Sequence, residues 1–364
     1  VDREAAIAWR TRTLPEVQGH GAVKAASKDW ARFSSDLQGD ADVRAYRQLP
    51  LEVDPPAHGA YRDLLLPFFG RVQVAAMEPG FRDAARDLVA RFVERGHLDA
   101  VEELALPMVL RGLAVAFRRP QDLATWTAWG VETWIERGDG TRDGAHLDAY
   151  LDAVVDEAMA APDPNGDVFA RLAVGTIDGR PLTRDELLGL TNLVLAGGRD
   201  TVVKLICAAL WHLARTPADL AALRADPAAL PVAIEEWLRW MSPLPRMERE
   251  LRETTVVGGV ERAPGERVML SFVSANHDPA VFADAASVHI DRRPNHHIAF
   301  GNGPHTCVGA HLAKVETRIF LEELLAVTDS LAVGPGEPVI DWHAIEGARL
   351  PGAFRRLPLT IAAR

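Results

Sequence analysis

The sequence predicts a mainly α protein, a helical body with small β-sheets at one side. Three observations predict it. Most of the 364 residues fall in alanine- and leucine-rich stretches of helical spacing, broken by short Pro, Gly and Asp punctuation. One stretch, opened by Thr183-Arg184-Asp185-Glu186 and closed by Thr216-Pro217, is apolar on most sides and predicts a core-crossing helix of about thirty residues up to Ala214. Strand signals are confined to short pieces, clearest at Thr254 to Val260 and Arg267 to Phe272, where β-branched residues flank Gly258-Gly259 and Pro264-Gly265 turns. No internal repeat, low-complexity tract or clear linker divides the chain, which is read as a single domain over residues 1–364.

Each element has its own signal. His58-Gly59-Ala60-Tyr61-Arg62 places His58 and Arg62 at i and i+4, on one face of a helix. Gly138 to Gly144 and Ala161 to Asp167, rich in Gly, Pro and Asp, are expected as surface loops. In the long capped helix, Gly197 and Gly198 each cost up to about 1 kcal/mol relative to alanine, a weakness that something must offset. Pro231 helps to begin the next helix, where Glu236 and Arg239 at i and i+3 can form a bidentate ion pair. Near the C-terminus Val308, Leu312, Val315, Ile319 and Leu324 recur close to helical period.

Charge and composition remove several function classes. A formal charge of −11 and a pI near 5.6 argue against a general nucleic-acid binder, whose phosphate contacts need a basic face. Two cysteines, Cys207 and Cys307, are too few for a disulfide framework and fit a reducing compartment; Cys207 is read as an apolar packing residue. No apolar run reaches the roughly 20 residues that span a bilayer, and Val1 to Arg10 is charged where a signal peptide needs an apolar stretch. The expectation is a soluble, cytoplasmic protein with no membrane partner.

The densest chemistry lies in Phe300-Gly301-Asn302-Gly303-Pro304-His305-Thr306-Cys307-Val308-Gly309. Cys307 ends a glycine-rich loop at the mouth of an amphipathic helix, whose free N–H groups favour a thiolate able to ligate iron. Gly301 and Gly303 allow backbone conformations closed to other residues, and Gly309 has no side chain to hold off a flat ligand. Two other readings stay open on the residues alone. A lone cysteine is often a small buried hydrophobe. Zinc could use His296, His297, His305, Cys307 and His311, although known zinc spacings are not reproduced and zinc would not require the glycines.

At this loop the chain resembles the cytochrome P450 superfamily, whose signature F-G-x-G-x-H-x-C-x-G it matches at every fixed position. The resemblance implies the family's fold, a mostly α prism with minor sheets, over nearly the whole chain, with the N-terminal part the weakest match. It implies haem b (iron protoporphyrin IX) as cofactor, with Cys307 as axial thiolate ligand and Phe300 and Gly301 beside it. Gly197-Gly198-Arg199-Asp200-Thr201 resembles the family's oxygen-activation motif, so Asp200 and Thr201 are the expected catalytic pair for proton delivery, above a groove opened at Gly197. A branch of the family that uses hydrogen peroxide tends to lack this pair. Arg199, its free position, is given a structural role ahead of contact with an acid or a substrate carboxylate. His58, Arg62, Arg249 (ten residues before Gly259) and His305 match the family's propionate partners. Glu236 and Arg239 match its E-x-x-R, and Arg292 its third cluster member, with Arg293 as neighbouring alternative.

By family position the substrate pocket is expected around Leu37 to Leu49, Phe117 to Trp134, Leu193, Gly197, Pro245 to Met247 and a turn near Ala353. These residues predict a small organic substrate with a large apolar part, a small aromatic or a secondary-metabolite intermediate. The resemblance implies insertion of one oxygen atom of O2, by hydroxylation or a consequence such as O-demethylation. Without a flavin or iron–sulfur segment in residues 1–364, electrons are expected from a ferredoxin or flavodoxin with its reductase, docking near Arg62, His311, Lys314 and Arg318. The alternative kept beside the enzyme is a haem-thiolate sensor.

Overall fold

The computed structural model of the chain describes residues 14–37, 46–130, 135–136, 142–345 and 348–364. Most of the expected loop Gly138 to Gly144, part of the Leu37 to Leu49 loop and the end of the Phe117 to Trp134 segment lie outside the described residues. Helices dominate, as the punctuated Ala/Leu pattern predicts. The helix Arg71–Arg95 packs against both Leu106–Phe117 and Ala310–Val327, burying Phe81, Leu88 and Phe92 on one side and Ile319, Phe320 and Leu324 on the other. Charges rim that seam. Arg82 bridges Glu322 at 2.7 Å and Glu323 at 2.5 Å, and Arg318 reaches Glu78 at 3.1 Å.

The expected thirty-residue helix is two helices, Arg184–Gly197 and Asp200–Arg215. Its start is as read: the Thr183 hydroxyl accepts from Glu186 N–H, and the Glu186 carboxylate accepts from Thr183 N–H at 2.7 Å. The break falls at Gly198 (φ −87°, ψ 0°) and Arg199 (φ −100°, ψ −77°). Two adjacent glycines weaken the helix there. Arg199, 1% exposed, fixes the alternative path by donating to the Trp126 carbonyl at 2.8 Å and to the Gly130 carbonyl. Its role is structural, as expected.

The sheets are small and peripheral. A four-stranded sheet runs in the order Glu16–Val17, Arg267–Ser271, Arg246–Leu251, Phe33–Ser34, its first pair parallel and the others antiparallel. It has its own core of Val17, Phe33, Leu251, Val268, Leu270 and Phe272. The expected strand piece Thr254 to Val260 is broken by its own Gly258-Gly259 turn: Thr255–Val257 and Val260–Arg262 pair antiparallel about it. Near the C-terminus Val339–Ile345 and Ala348–Arg356 pair in a second hairpin that returns against the helix Asp200–Arg215.

Candidate active site

The cysteine loop is set by its own backbone. Gly301 N–H donates to the Ile298 carbonyl at 2.9 Å, Thr306 N–H to Gly303 at 3.1 Å, and Cys307 N–H to Phe300 at 2.9 Å. The curl requires φ of +73° at Gly301 and +79° at Gly303, left-handed values that favour glycine. Gly303 also presses on its neighbour: a Cβ there would lie 2.5 Å from the Ser27 carbonyl oxygen. Cys307 is thereby held at the N-terminus of Ala310–Val327. Burial pushes its thiol up, while the Gly309 amide, the Arg62 charge and the Ala310 amide pull it down. Cys307 is exposed, and it lines a cavity. Protein dipoles alone leave the thiol favoured; a coordinated cation is what removes its proton outright. Cys207 is fully buried, and burial pushes its thiol up.

A cationic cluster lines one part of that cavity. His58 and Arg62 come from the helix Ala57–Phe69, Arg249 from the strand Arg246–Leu251, and His305 from the loop. The His58 and His305 rings meet edge to face, centroids 4.3 Å apart, and both Nε2 atoms are buried without a hydrogen-bond partner. Burial, then the charges of Arg249, His58 and Arg62, push His305 down to about 3. Burial also lowers His58, and pushes Arg249 down to about 10. Buried donors and cations are costly until paired. A ligand bringing two carboxylates to this place would satisfy them, which is what a haem's propionates offer.

The cavity, of about 580 Å³, joins this cluster and Cys307 to the broken distal helix. Gly197, Gly198, Asp200 and Thr201 lie on its wall with Leu193 and Met247. Thr201 Oγ1 donates to the Gly197 carbonyl at 3.2 Å, and Asp200 is ion-paired to Lys204 at 2.8 Å. Two expected pocket residues sit elsewhere. Pro245 and Ala353 line a separate cavity, because Pro245 immediately precedes the strand Arg246–Leu251 and its neighbours Pro243 and Leu244 take the place in the main cavity. Gln48, from the Leu37 to Leu49 stretch, and Phe117, from the Phe117 to Trp134 stretch, line the main cavity.

Sequence reasoning missed Glu316. It is 4% exposed, lines the cavity, and has an Oε1 without a hydrogen-bond partner; burial raises its carboxyl well above the usual range. Gly112 makes room for it, since a Cβ there would fall 2.1 Å from Oε1. A glutamate in a helix ordinarily reads as surface, and no local signal marks this one. Lys204, four residues after Asp200 on the same helix, was legible by spacing.

Glu236, Arg239 and Arg292 come together away from the cavity. Glu236 and Arg239 are 0% exposed and joined by two 2.7 Å bonds, and Arg292 Nε lies 3.0 Å from both Glu236 oxygens. Arg239 also donates to the carbonyls of Asn276, Ala285 and Ser287. Between Arg292 and Arg293, Arg292 is the cluster member. The cluster ties the helix Leu230–Met241 to the segment leading into the cysteine loop.

The zinc reading fails on geometry. His297 bonds Glu235 at 2.8 Å while His305 faces His58, and among the described residues no three His, Cys, Asp or Glu side chains converge as a metal site would need. Among them also, no helix is long and apolar enough to cross a membrane.

Comparison with known proteins agrees with this geometry. Residues 147–327 match the family model Cytochrome P450. The chain is 33% identical over 297 residues to a Steroid C26-monooxygenase of Mycolicibacterium smegmatis, covering 79% of this chain and 74% of that protein. It is 31% identical over 343 residues to the cytochrome P450 monooxygenase PikC of Streptomyces venezuelae, covering 91% and 81%. Among solved structures, a carbohydrate-active P450 superposes with a TM-score of 0.87 at 29% identity, over 96% of this chain and 92% of that one. The sensor alternative gives way to these enzymes, and the chain belongs to the cytochrome P450 family as a haem-thiolate monooxygenase with bacterial relatives.

Proposed function

We propose that residues 1–364 are a single cytoplasmic haem domain that takes electrons from a separate ferredoxin- or flavodoxin-type donor with its reductase and oxidises a largely apolar small molecule. The oxidation inserts one oxygen atom, as hydroxylation, O-demethylation or epoxidation, or else couples two substrate positions oxidatively, with both oxygen atoms leaving as water. One observation carries the reading: Cys307, the buried cationic cluster and the Asp200–Thr201 pair wall a single cavity. Cys307 would ligate the haem iron, and His58, Arg62, Arg249 and His305 would hold its propionates. Bound there, haem supplies the metal that activates dioxygen, with thiolate donation favouring O–O cleavage. Asp200 holds and passes a proton, and the Thr201 hydroxyl relays it into the cavity. Per turnover one O2, two electrons and two protons convert a C–H bond to C–OH and release one water.

Substrate class rests on the walls. Leu113, Phe117, Leu193, Leu244 and Met247 favour an apolar body, and Gln48 and Arg355 add polar groups at the same cavity. The relatives' own names span steroid and carbohydrate chemistry, so they support the enzyme class more than any one substrate. The test is product analysis with a panel of small aromatic ethers and secondary-metabolite intermediates. Oxygenated product from the apolar members supports the reading; turnover of sugars alone would overturn it.

For the electron donor, His311 is the informative residue: burial, Arg71 and Lys314 all lower it, so cations prevail around it. Lys314 is shared with Glu235 at 2.8 Å, and Arg318 with Glu78 and Glu322. Such partly neutralised cations suit an acidic partner that exchanges rapidly.

A further inference from the structure

The helix Asp200–Arg215 separates the active-site cavity from a second one. This second cavity, of about 410 Å³, lies between that helix and the C-terminal hairpin, and it collects Glu102, Asp341 and His343. Asp200, Lys204 and Arg355 wall both cavities. Lys204 Nζ holds Asp200 Oδ2 at 2.8 Å and reaches the Pro243 carbonyl at 3.4 Å, which fixes the carboxylate on the shared wall. The hairpin shapes the far side. A Cβ on Gly352 would fall 2.4 Å from His343 Nε2, so this glycine is what admits the imidazole. Arg355 is held by Asp341 at 2.9 Å, and the His343 imidazole, which can both donate and accept a proton, lines the same cavity.

We propose that the second cavity is the proton entrance of the enzyme: His343 passes protons from solvent toward Asp200, and Lys204 is a positioning residue that keeps the Asp200 carboxylate facing both cavities. The proposal rests on the function proposed above. In each delivery protonated His343 gives its Nε2 or Nδ1 proton through water to the Asp200 carboxylate. Asp200 gives a proton to the Thr201 oxygen as the Thr201 hydroxyl releases its own into the cavity, and His343 recovers a proton from solvent. Two such deliveries match the two electrons brought by the redox partner. The groups acting on His343 are consistent with an imidazole poised to release its proton: burial first, then Arg246 and Lys204, lower it, and Asp341 opposes them.

The test uses the haem-loaded protein and three variants, His343→Phe, Lys204→Met and Thr201→Ala. One readout is independent of turnover. NMR titration of the histidine rings should show His343 titrating below a free histidine, and titrating higher in Lys204→Met, since a positive neighbour has been removed. The second readout is product formed per reducing equivalent with its solvent isotope effect. His343→Phe and Lys204→Met should each lower coupling several-fold and raise the isotope effect, while the substrate-induced spectral change is retained. Wild-type coupling and isotope effect in both variants, with Thr201→Ala uncoupled, would overturn the entrance and leave the acid–alcohol pair standing. Wild-type coupling in Thr201→Ala would overturn that pair as well. Should His343→Phe fail to fold, Lys204→Met carries the same decision, because its exchange removes one ion pair at a partly exposed position.

Discussion

Two substitutions in the cysteine loop, Gly301→Ala and Gly303→Ala, should differ sharply although both glycines occupy the same backbone region. At φ of +73° and +79°, an L-residue costs about 1–2 kcal/mol at either site. At Gly301 the added methyl meets nothing closer than the His305 carbonyl oxygen at 3.5 Å, an ordinary contact, so that strain is the whole effect. At Gly303 the methyl would sit 2.5 Å from the Ser27 oxygen and 3.2 Å from Lys28 Cα. Both are backbone atoms that cannot swing aside, and overpacking of this kind adds about 1–3 kcal/mol. Gly303→Ala should therefore lose about 2–5 kcal/mol against about 1–2 for Gly301→Ala. Urea unfolding followed by circular dichroism measures the difference, and haem content per protein reports whether the loop still presents Cys307. Equal losses, or a larger loss in Gly301→Ala, would refute the claim that the loop is braced against Ser27.

Three further predictions concern buried and docking charges. Glu236→Gln leaves Arg239 and Arg292 without their carboxylate and should destabilise the fold by about 3–5 kcal/mol, read from urea midpoints. For Glu316 the folded carboxyl is raised above its unfolded value, so the unfolded chain ionises first and stability falls as pH climbs above about 4.5, by up to about 1.4 kcal/mol per pH unit until the folded group also ionises. Glu316→Gln should remove that slope, its advantage over wild type widening as pH climbs above about 4.5; a gap that stays constant or narrows there would show the acid is solvated. Lys314→Glu should slow reduction by the protein donor, more so at low salt, with the substrate-binding spectrum unchanged; an unaltered rate would remove Lys314 from the docking face.

What could be read in advance was whatever is encoded over a few consecutive residues. The cysteine loop is one short segment whose glycines, histidine and cysteine interact with each other, so their spacing carries the geometry. The Thr183–Glu186 cap and the Glu236–Arg239 pair are local in the same sense. Arg199 at the free position was read correctly as structural, yet its reach to Trp126 and Gly130, which breaks the distal helix, depends on a segment about seventy residues away. The strand Arg246–Leu251 was not legible: RMEREL is rich in charged helix formers, and only its pairing with Arg267–Ser271 makes it extended. The C-terminal hairpin alternates weakly, so neither its bulges nor the seat of His343 over Gly352 could be anticipated. Glu316 was hidden for a related reason: its burial comes from Gly112 on another helix.

The central claim is that Cys307 presents a thiolate to haem iron within the cavity it shares with Thr201 and the cationic cluster. The absorption spectrum of the purified protein, reduced under carbon monoxide, tests this most directly. A strongly red-shifted Soret band is the expected result, lost in Cys307→Ala and retained in Cys207→Ala. An imidazole-like band in the wild type, or no haem band in protein expressed with haem supplied, would contradict it.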